Sequence, residues 1–284
     1  KNFSFSKARL EDDKKIKIIF KKFKPKIVIH LAAQAGVRYS IDKPRVYLKS
    51  NINGTFNVIE SSHIIKAKHL IMASSSSVYG ANKKIPFKEI DKTDTQLSIY
   101  AATKKANESM AHAYSNIWKI PITMLRFFTV YGPWGRPDMA LFIFTKAIIE
   151  NKPINIFNYG NMTRDFTYID DIIESLFLLL GKPPLGDLNF NTKNPDPSSS
   201  WARHNIFNIG NSSPTPLLDF IEAIELSLNK KAIKNFLPIQ PGDVSSTAAE
   251  TKKLEDWINF KPNTSVKKGI DNFVKWYLDF YKIN

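Results

Sequence analysis

The stretch KIVIHLAA, residues 26–33, sets the fold class of this chain. Four aliphatic residues in this short run predict a buried β-strand, and Ala32 and Ala33 after it leave the backbone open to close approach by another molecule. A segment with apolar residues at three- and four-residue spacing precedes the strand and ends at Pro25, which predicts a helix. The chain therefore enters the strand from a helix.

The same order of helix and apolar strand repeats further along the chain. A predicted helix over residues 44–66 leads to the strand HLIMAS at 69–74, and a predicted helix over 100–119 leads to the strand ITMLRFF at 122–128. This alternation indicates an α/β protein with a Rossmann-like, doubly wound parallel sheet. Ligands of such sheets bind at the carboxyl ends of the strands, so the residues that follow each strand are candidates for a site.

Composition excludes several classes of protein. The chain has 284 residues, of which 43% are hydrophobic and 24% charged, as expected for a globular protein. It has no cysteine, which excludes disulfides and thiolate metal sites and suits a reducing compartment. The longest apolar run, Leu176 to Leu180, is far below the ~20 residues that span a bilayer, so we expect a soluble, cytoplasmic protein without a membrane partner.

The charge of +15 comes mainly from lysine. The lysines are scattered along every polar stretch, which is typical of solvated surface and does not favour a nucleic-acid partner. The five histidines also occur singly, without metal-ligand spacing, so no metal site is predicted. Four arginines differ, because Arg38, Arg126, Arg136 and Arg164 lie in segments rich in glycine and aromatic residues, where bidentate binding of phosphate or carboxylate is plausible. Of these four, Arg126 is better interpreted as a structural residue.

The most specific chemical signal is Tyr100 with Lys104, four residues apart at the start of a predicted helix. This spacing places both on one helix face, where the ammonium would lower the pKa of the phenol and make it an acid and base for an alcohol. A serine run, Ser74 to Ser77, ends the preceding strand and could supply a hydroxyl beside the phenol. Taken singly, the pair could be a chance spacing, and the serines a polar loop.

Together these segments resemble the extended short-chain dehydrogenase/reductase family, in its nucleotide-sugar branch, and within it the UDP-glucuronate 4-epimerases. The resemblance covers nearly the whole chain. It is carried by HLAAQAGVRYS at 30–40, SNINGTFNVIE at 50–60, ASSSSVYG at 73–80, YAATKKANE at 100–108, LRFFTVYGPWGRPDMA at 125–140, RDFTYIDDI at 164–172 and QPGD at 240–243.

The resemblance implies NAD as cofactor, a UDP-sugar as substrate, and 4-epimerisation of UDP-glucuronate to UDP-galacturonate through a 4-keto sugar. Tyr100 would take the proton of the sugar 4-hydroxyl, Lys104 would lower the Tyr100 pKa and hold the nicotinamide ribose, and Ser75 would bond the same sugar oxygen. The cofactor-binding residues would be Leu31, Ala32, Ala33, Gln34, Ala73, Tyr100, Lys104 and Phe128. Substrate would be bound by Arg38, Arg136 and Arg164 at the diphosphate, Asp243 at the uridine ribose, and Ser76, Ser77 and Thr129 at the carboxylate.

The resemblance also implies a domain plan. Residues 1–130 would form the NAD-binding domain, and 131–284 mainly the smaller α/β part that binds the nucleotide sugar, with some segments returning to the first. The family's opening strand, Gly-rich turn and helix have no counterpart among these residues, so we expect that segment before Lys1. A homodimer is implied through the helices at 44–66 and 100–119.

Other functions remain open at this stage. The chain could act on another UDP-sugar, or as a 4,6-dehydratase, although dehydratases of this family carry acids after the catalytic Ser or Thr, where Ser76 and Ser77 stand. It could also be a Rossmann-like binding protein without turnover that uses its charge on RNA. The intact Ser75, Tyr100 and Lys104 favour an enzyme.

Overall fold

The computed structural model describes residues 3–240 and 243–283; Pro241 and Gly242 of the QPGD motif lie outside this range. In chain order the helices are α1 Asp13–Phe23, α2 Val37–Asp42, α3 Pro44–Tyr47, α4 Gly54–Ile64, α5 Ile99–Trp118, α6 Ala140–Ile149, α7 Ile169–Leu179, α8 Leu217–Leu228, α9 Lys252–Ile258 and α10 Val266–Tyr281. The strands are β1 Ile27–His30, β2 His69–Ala73, β3 Ile122–Phe127, β4 Thr129–Tyr131, β5 Pro153–Ile156, β6 Thr163–Tyr168, β7 His204–Ile209, β8 Pro214–Pro216 and β9 Ile233–Phe236. A π-helical segment Leu48–Asn53 joins α3 to α4, and 3₁₀ turns cover Ser76–Tyr79 and Phe157–Gly160.

The chain divides into two compact units. Unit 1 holds the described residues up to Lys84, together with Lys88–Phe127 and Leu178–Asn208. Unit 2 holds Ile85–Phe87, Phe128–Phe177 and the described residues from Ile209 onward. The sequence places a domain boundary after residue 130, and the chain passes from unit 1 to unit 2 at Phe127.

Unit 1 is built on a four-stranded sheet of order β1-β2-β3-β7, in which β1 pairs parallel with β2 and β2 with β3. The predicted α/β class and parallel sheet are confirmed. Inward side chains of the strands pack on α4 and α5, because parallel strands joined through helices bury their apolar faces under those helices. The core they form includes Val28, Leu70, Met72, Ile122 and Met124 with Val58, Ile59 and Ala111.

The prediction of a buried strand at 26–33 is wrong for alternate residues of β1. Val28 and His30 are buried, whereas Ile27 and Ile29 are 37% and 44% exposed. Successive side chains of a strand point to opposite faces of its sheet. Among the described residues, the core under α4 and α5 covers the face that carries Val28, and the face that carries Ile27 and Ile29 keeps contact with solvent.

Unit 2 contains two small sheets. In the first, β4 pairs parallel with β6, and β6 pairs antiparallel with β8. In the second, β5 pairs parallel with β9. Aromatic residues of β4, β6, α6, α8 and α10 contribute to the core, which includes Tyr131, Phe142, Phe166, Phe220, Phe273 and Tyr277.

None of the helices in the described part of the chain is long and apolar enough to cross a membrane.

Candidate active site

Helix α5 places Tyr100 and Lys104 on one face. Ser98 is extended and its side chain accepts a hydrogen bond from the Ala101 N–H at 3.1 Å, which caps the helix at the residue before Ile99. Tyr100 therefore lies in the first turn and Lys104 one turn later. The Tyr100 ring is half-buried and meets the buried Tyr47 ring edge-on at 6.2 Å.

Lys104 is almost fully buried at 4% exposure. Its Nζ donates to the Ala73 carbonyl at 2.8 Å, the one hydrogen-bond acceptor that the described residues offer it. Burial lowers the pKa of Lys104 to about 8, so the ammonium form still predominates at pH 7. An ammonium has three N–H donors. The two that remain suit neutral hydroxyl acceptors such as those of a ribose, and this fits a bound dinucleotide.

Ser75 is the second residue after β2 and precedes the 3₁₀ turn Ser76–Tyr79. Its Oγ accepts from the Ser77 N–H at 3.2 Å, so its hydroxyl proton is available to a ligand. Ser76 and Ser77 are half-buried in the same turn. Gly80 ends the turn at a φ of +56°, where a Cβ would lie 2.0 Å from the Thr95 carbonyl oxygen, so the turn requires glycine.

The segment after β1 is connected to α5 by Asn51, a buried residue in the π-helical segment. Its Oδ1 accepts from the Gln34 N–H at 2.8 Å, and its Nδ2 donates to the Gln34 carbonyl at 3.0 Å and to Thr103 Oγ1 at 3.1 Å. Thr103 precedes Lys104 in α5. Asn51 therefore fixes the strand end against the helix that carries Tyr100. Sequence analysis missed this residue, because its partners lie 17 and 52 residues away along the chain.

The other residues predicted after β1 are open to solvent to different degrees. Leu31, Ala32 and Arg38 are exposed, and Ala33 and Gln34 are half-buried. Small and accessible residues at a strand end leave room for a ligand along the backbone.

His30 lies beside Lys104 without carrying charge. Its Nε2 is 3.0 Å from Thr55 Oγ1, and it is 8% exposed. Burial, and then the positive charge of Lys104, lower the pKa of His30 to about 4. The imidazole is therefore neutral at pH 7 and does not add a second positive charge next to Lys104.

Arg126 of β3 is a structural residue, as the sequence suggested. It is 1% exposed and its Nε and Nη2 bind the two carboxylate oxygens of Glu108 at 2.9 and 3.0 Å. Because both partners of this ion pair are buried, the role of Arg126 is to stabilise the fold of unit 1.

In unit 2, Arg164 is held against the segment that carries Asp243. Its guanidinium donates to the carbonyls of Thr163 at 2.9 Å, Val244 at 2.6 Å and Ser245 at 3.1 Å. Burial lowers the pKa of Arg164, and the negative charge of Asp243 opposes that effect. The two predicted nucleotide-binding residues of this unit are therefore electrostatic neighbours.

Asp165, next to Arg164, is a fully buried carboxylate that sequence analysis did not single out. It accepts the backbone N–H groups of Asn211 at 2.9 Å, Ser212 at 3.1 Å and Ala249 at 2.9 Å. Burial raises its pKa, and these donors oppose the rise. Asp165 thus connects its own strand, β6, with the segment at residues 211–212 and with the segment at Ala249.

The remaining predicted residues of unit 2 lie around β4. Phe128 is 5% exposed and Thr129 is half-buried. Thr129 and Arg136 line the same small, mainly apolar cavity of about 40 Å³. Arg136 is exposed, and its Nε lies 3.0 Å from Asp138 Oδ1.

These features define a class of protein. A parallel α/β sheet, a serine hydroxyl after one strand and a Tyr–Lys pair on the helix that follows are the parts of a short-chain dehydrogenase/reductase site. Residues 1–191 match the model of the NAD dependent epimerase/dehydratase family. The chain belongs to this family and is an NAD-dependent enzyme.

Relatives and solved structures agree with this assignment. The chain is 52% identical over 281 residues to protein CapI of Staphylococcus aureus, covering 99% of this chain and 84% of that protein. It is 47% identical over 276 residues to a Rhizobium meliloti protein named Probable UDP-glucuronate 4-epimerase, covering 97% and 81%. The UDP-glucuronic acid 4-epimerase of Bacillus cereus, solved with UDP-glucuronic acid and NAD, matches 98% of this chain and 82% of that chain with a TM-score of 0.85 at 33% identity.

Proposed function

We propose that the protein interconverts UDP-glucuronate and UDP-galacturonate by inverting C4 of the sugar through a 4-keto form. The observation that carries this proposal is the arrangement in unit 1 of a buried Lys104 cation one turn from Tyr100, with Ser75 in the turn that follows strand β2. The names of the Rhizobium and Bacillus relatives support glucuronate as the sugar acid.

Tyr100 is the proposed acid and base. As a phenolate it takes the proton of the sugar 4-hydroxyl, and as a phenol it gives a proton back to the same oxygen after C4 has inverted. Lys104 supplies the positive charge that favours the phenolate, since an opposite charge lowers the pKa of an acid. NAD, when bound, supplies a hydride acceptor for C4 and then the hydride donor, so no external reductant is consumed.

Ser75 and Lys104 have further proposed roles. With its Oγ lone pair bound by the Ser77 N–H, Ser75 can donate its proton to the sugar 4-oxygen and hold it near Tyr100. The two remaining N–H groups of Lys104 would hold the nicotinamide ribose. The rest of the dinucleotide-binding site would be lined by Leu31, Ala32, Ala33, Gln34, Ala73 and Phe128.

Unit 2 supplies the proposed nucleotide-sugar contacts. Arg164 would bind the diphosphate, Asp243 the uridine ribose, and Thr129 the C5 carboxylate of the sugar. Further candidates for substrate contacts are Arg136 of this unit and Arg38, Ser76 and Ser77 of unit 1. A neutral hydroxyl at the carboxylate suits this reaction, because it can hold the anion and still let the 4-keto sugar reorient.

Epimerisation is favoured over dehydration by the residues after Ser75. Elimination of water needs an acid and base besides tyrosine, and dehydratases of this family place a carboxylate in this turn. Here the turn carries the neutral Ser76 and Ser77. Plain hydride removal and return needs no such group.

Product analysis tests the proposal directly. The protein is incubated with NAD and UDP-glucuronate, and the sugar nucleotides are separated by chromatography. We expect UDP-galacturonate of unchanged mass. A product lighter by water would identify a dehydratase, loss of carbon dioxide would identify a decarboxylase, and turnover of UDP-glucose alone would replace glucuronate as the substrate.

We also propose that the protein is a cytoplasmic homodimer that pairs through α4 and α5. Ile64 of α4 and Ile117 of α5 are 41% and 62% exposed. On α5 the half-buried rings of Tyr114 and Trp118 stack at 4.1 Å, and Trp118 also stacks on His63 of α4 at 4.6 Å. Pairing two copies of these helices would cover this apolar surface. Light scattering of the wild type and of Ile117→Lys tests it, with a monomer expected for the variant.

A further inference from the structure

Glu108 occupies the same face of α5 as the proposed catalytic pair, one turn after Lys104 and two turns after Tyr100. It is 2% exposed, and its carboxylate is shared between two elements. Oε1 accepts from Ser74 Oγ at 2.6 Å and from Arg126 Nε at 2.9 Å, and Oε2 accepts from Arg126 Nη2 at 3.0 Å. Both oxygens are thus occupied by groups outside the helix.

The Ser74 hydroxyl connects this carboxylate to the residue before Ser75. The Ser74 N–H also donates to the Leu125 carbonyl of β3 at 2.7 Å. The peptide that leads into Ser75 is therefore held by strand β3 on one side and by helix α5 on the other. Ser74 is 3% exposed and has no access to a ligand through the solvent.

Arg126 connects the same carboxylate to the far end of the serine turn. Its Nη1 donates to Tyr79 Oη at 3.1 Å, and its guanidinium lies 4.9 Å from the centre of the Tyr79 ring. Tyr79 in turn donates to Asn208 Oδ1 at 2.6 Å. Tyr79 ends the turn that follows Ser75. The turn is therefore connected to Glu108 at both ends, through Ser74 at its start and through Arg126 at its end.

We infer that Glu108 is a positioning residue for the reaction, which sets the distance between the Ser75 hydroxyl and the Tyr100 phenol. This inference rests on the proposed roles of Ser75 and Tyr100. Glu108 acts through Ser74 and Arg126: both oxygens of its carboxylate hold the strand end and turn against the helix that carries Tyr100. Small displacements between a catalytic group and the substrate lower the rate strongly, so a rigid connection here controls turnover.

Pairing with Arg126 has a second consequence. A glutamate one turn after a lysine on the same face is well placed to neutralise that lysine. Here Glu108 binds Arg126 and Ser74, and Lys104 donates to the Ala73 carbonyl instead. Lys104 thus keeps its positive charge available to Tyr100.

The test compares Ser74→Ala with Ser115→Ala. Both substitutions remove one buried serine hydroxyl, but Ser115 lies near the other end of α5 and donates to the Ile120 carbonyl at 2.8 Å. We expect kcat of Ser74→Ala to fall about tenfold with KM within about twofold of wild type, and kcat of Ser115→Ala to stay within about twofold. Equal kcat values for the two variants would overturn the inference.

A second readout does not depend on turnover. Amide hydrogen exchange of residues 74–80 should be faster in Ser74→Ala than in wild type and unchanged in Ser115→Ala. Equal exchange in all three proteins would also overturn the inference. Turnover is measured with both UDP-glucuronate and UDP-glucose, so an inactive wild type refutes the proposed function, whereas an active wild type with two equivalent variants refutes only the role of Glu108.

Glu108→Gln tests whether Ser74 acts through the carboxylate. If it does, the effects of Ser74→Ala and Glu108→Gln on kcat do not multiply in the double variant, because both substitutions weaken the same connection. Independent, multiplying effects would show that Ser74 acts by another route. Glu108→Gln leaves the Arg126 charge buried without a counter-ion and can fail to fold, in which case the Ser74 and Ser115 comparison decides.

Discussion

Among individual residues, Lys104 has the environment that most clearly departs from an ordinary surface position. Burial disfavours its charge, and yet no described carboxylate is within salt-bridge distance of its Nζ. A residue that is kept charged at such a cost is characteristic of a functional site. The His30 ring and the Ala73 carbonyl beside it carry no net charge, so neither neutralises the positive charge of Lys104. That charge can act on Tyr100, which lies one turn away on α5.

Tyr100→Phe should abolish epimerisation while leaving the fold intact. The substitution removes one hydroxyl, and general acid and base catalysis supplies roughly 10²- to 10⁴-fold in rate. Steady-state turnover with UDP-glucuronate and thermal melting of both proteins provide the check. Activity within about threefold of wild type would contradict the assignment of Tyr100 as the base.

Thr129→Val tests the choice of sugar. Valine keeps the shape and suits a strand, but it removes the hydroxyl proposed to contact the C5 carboxylate. We expect the preference for UDP-glucuronate, measured as its kcat/KM divided by that of UDP-glucose, to decrease. The reason is that a site that loses a polar contact to the carboxylate discriminates less between the two sugars. An unchanged ratio would mean that Thr129 only begins β4.

At the scale of helices and strands, the ends of α5 and of the strand before it decide where the proposed chemistry lies. Predicted and observed bounds of α5 differ by one residue at each end, and the structure places the helix cap at Ser98. Helix α9 was missed, because seven residues are too few for a clear period. The exposure of alternate residues in β1 was missed as well, because a run of apolar residues does not show which face of a strand is covered.

Ser98→Ala should affect both stability and turnover. Loss of a helix cap costs about 1 kcal/mol of unfolding free energy, and fraying of this end displaces Tyr100, two residues away. Ser265→Ala is a matched control, because Ser265 caps α10 in unit 2 by accepting from the Lys268 N–H. We expect similar losses of stability in denaturant titrations, with kcat reduced only in Ser98→Ala. Equal kcat values in the Ser98→Ala and Ser265→Ala variants would show that the helix cap at Ser98 does not position Tyr100 for the reaction.

At the scale of the whole molecule, the two units carry different parts of the proposed function. Unit 1 contains Ser75, Tyr100 and Lys104, and unit 2 contains Arg164 and Asp243. Each unit has its own hydrophobic core. Substitutions that affect the chemistry and those that affect nucleotide binding are therefore expected to be separable in kinetic measurements.

Acid should destabilise the protein through His30. Its pKa is about 4 when folded and about 6.5 as a free side chain, so the unfolded chain binds more protons between these values, and stability is lost as the pH falls from 6.5 towards 4. Between pH 7 and 4.5 this contribution amounts to roughly 2 kcal/mol. Glutamine cannot take up this proton, so denaturant titrations of His30→Gln should show a smaller loss. An identical loss in both proteins would exclude His30 as a cause.

Local signals in the sequence were enough to predict the α/β class, the parallel order of helix and strand, and the candidates Tyr100, Lys104 and the serine run at 74–77, in which the family resemblance then selected Ser75. These features depend on periodicity, on caps and on spacing within one turn of a helix, all of which are local properties of the chain. The family resemblance then extended the candidates to the cofactor and substrate residues.

Only the tertiary structure revealed the residues that hold these groups in place. Asn51, Glu108, Asp165 and His30 have partners between 17 and 84 residues away, and nothing in their local sequence indicates those contacts. The exposure of one face of β1 among the described residues likewise depends on which segments pack over it. The physical reason is the same in each case: burial and hydrogen bonding between distant segments are determined by packing in three dimensions, which a local pattern does not encode.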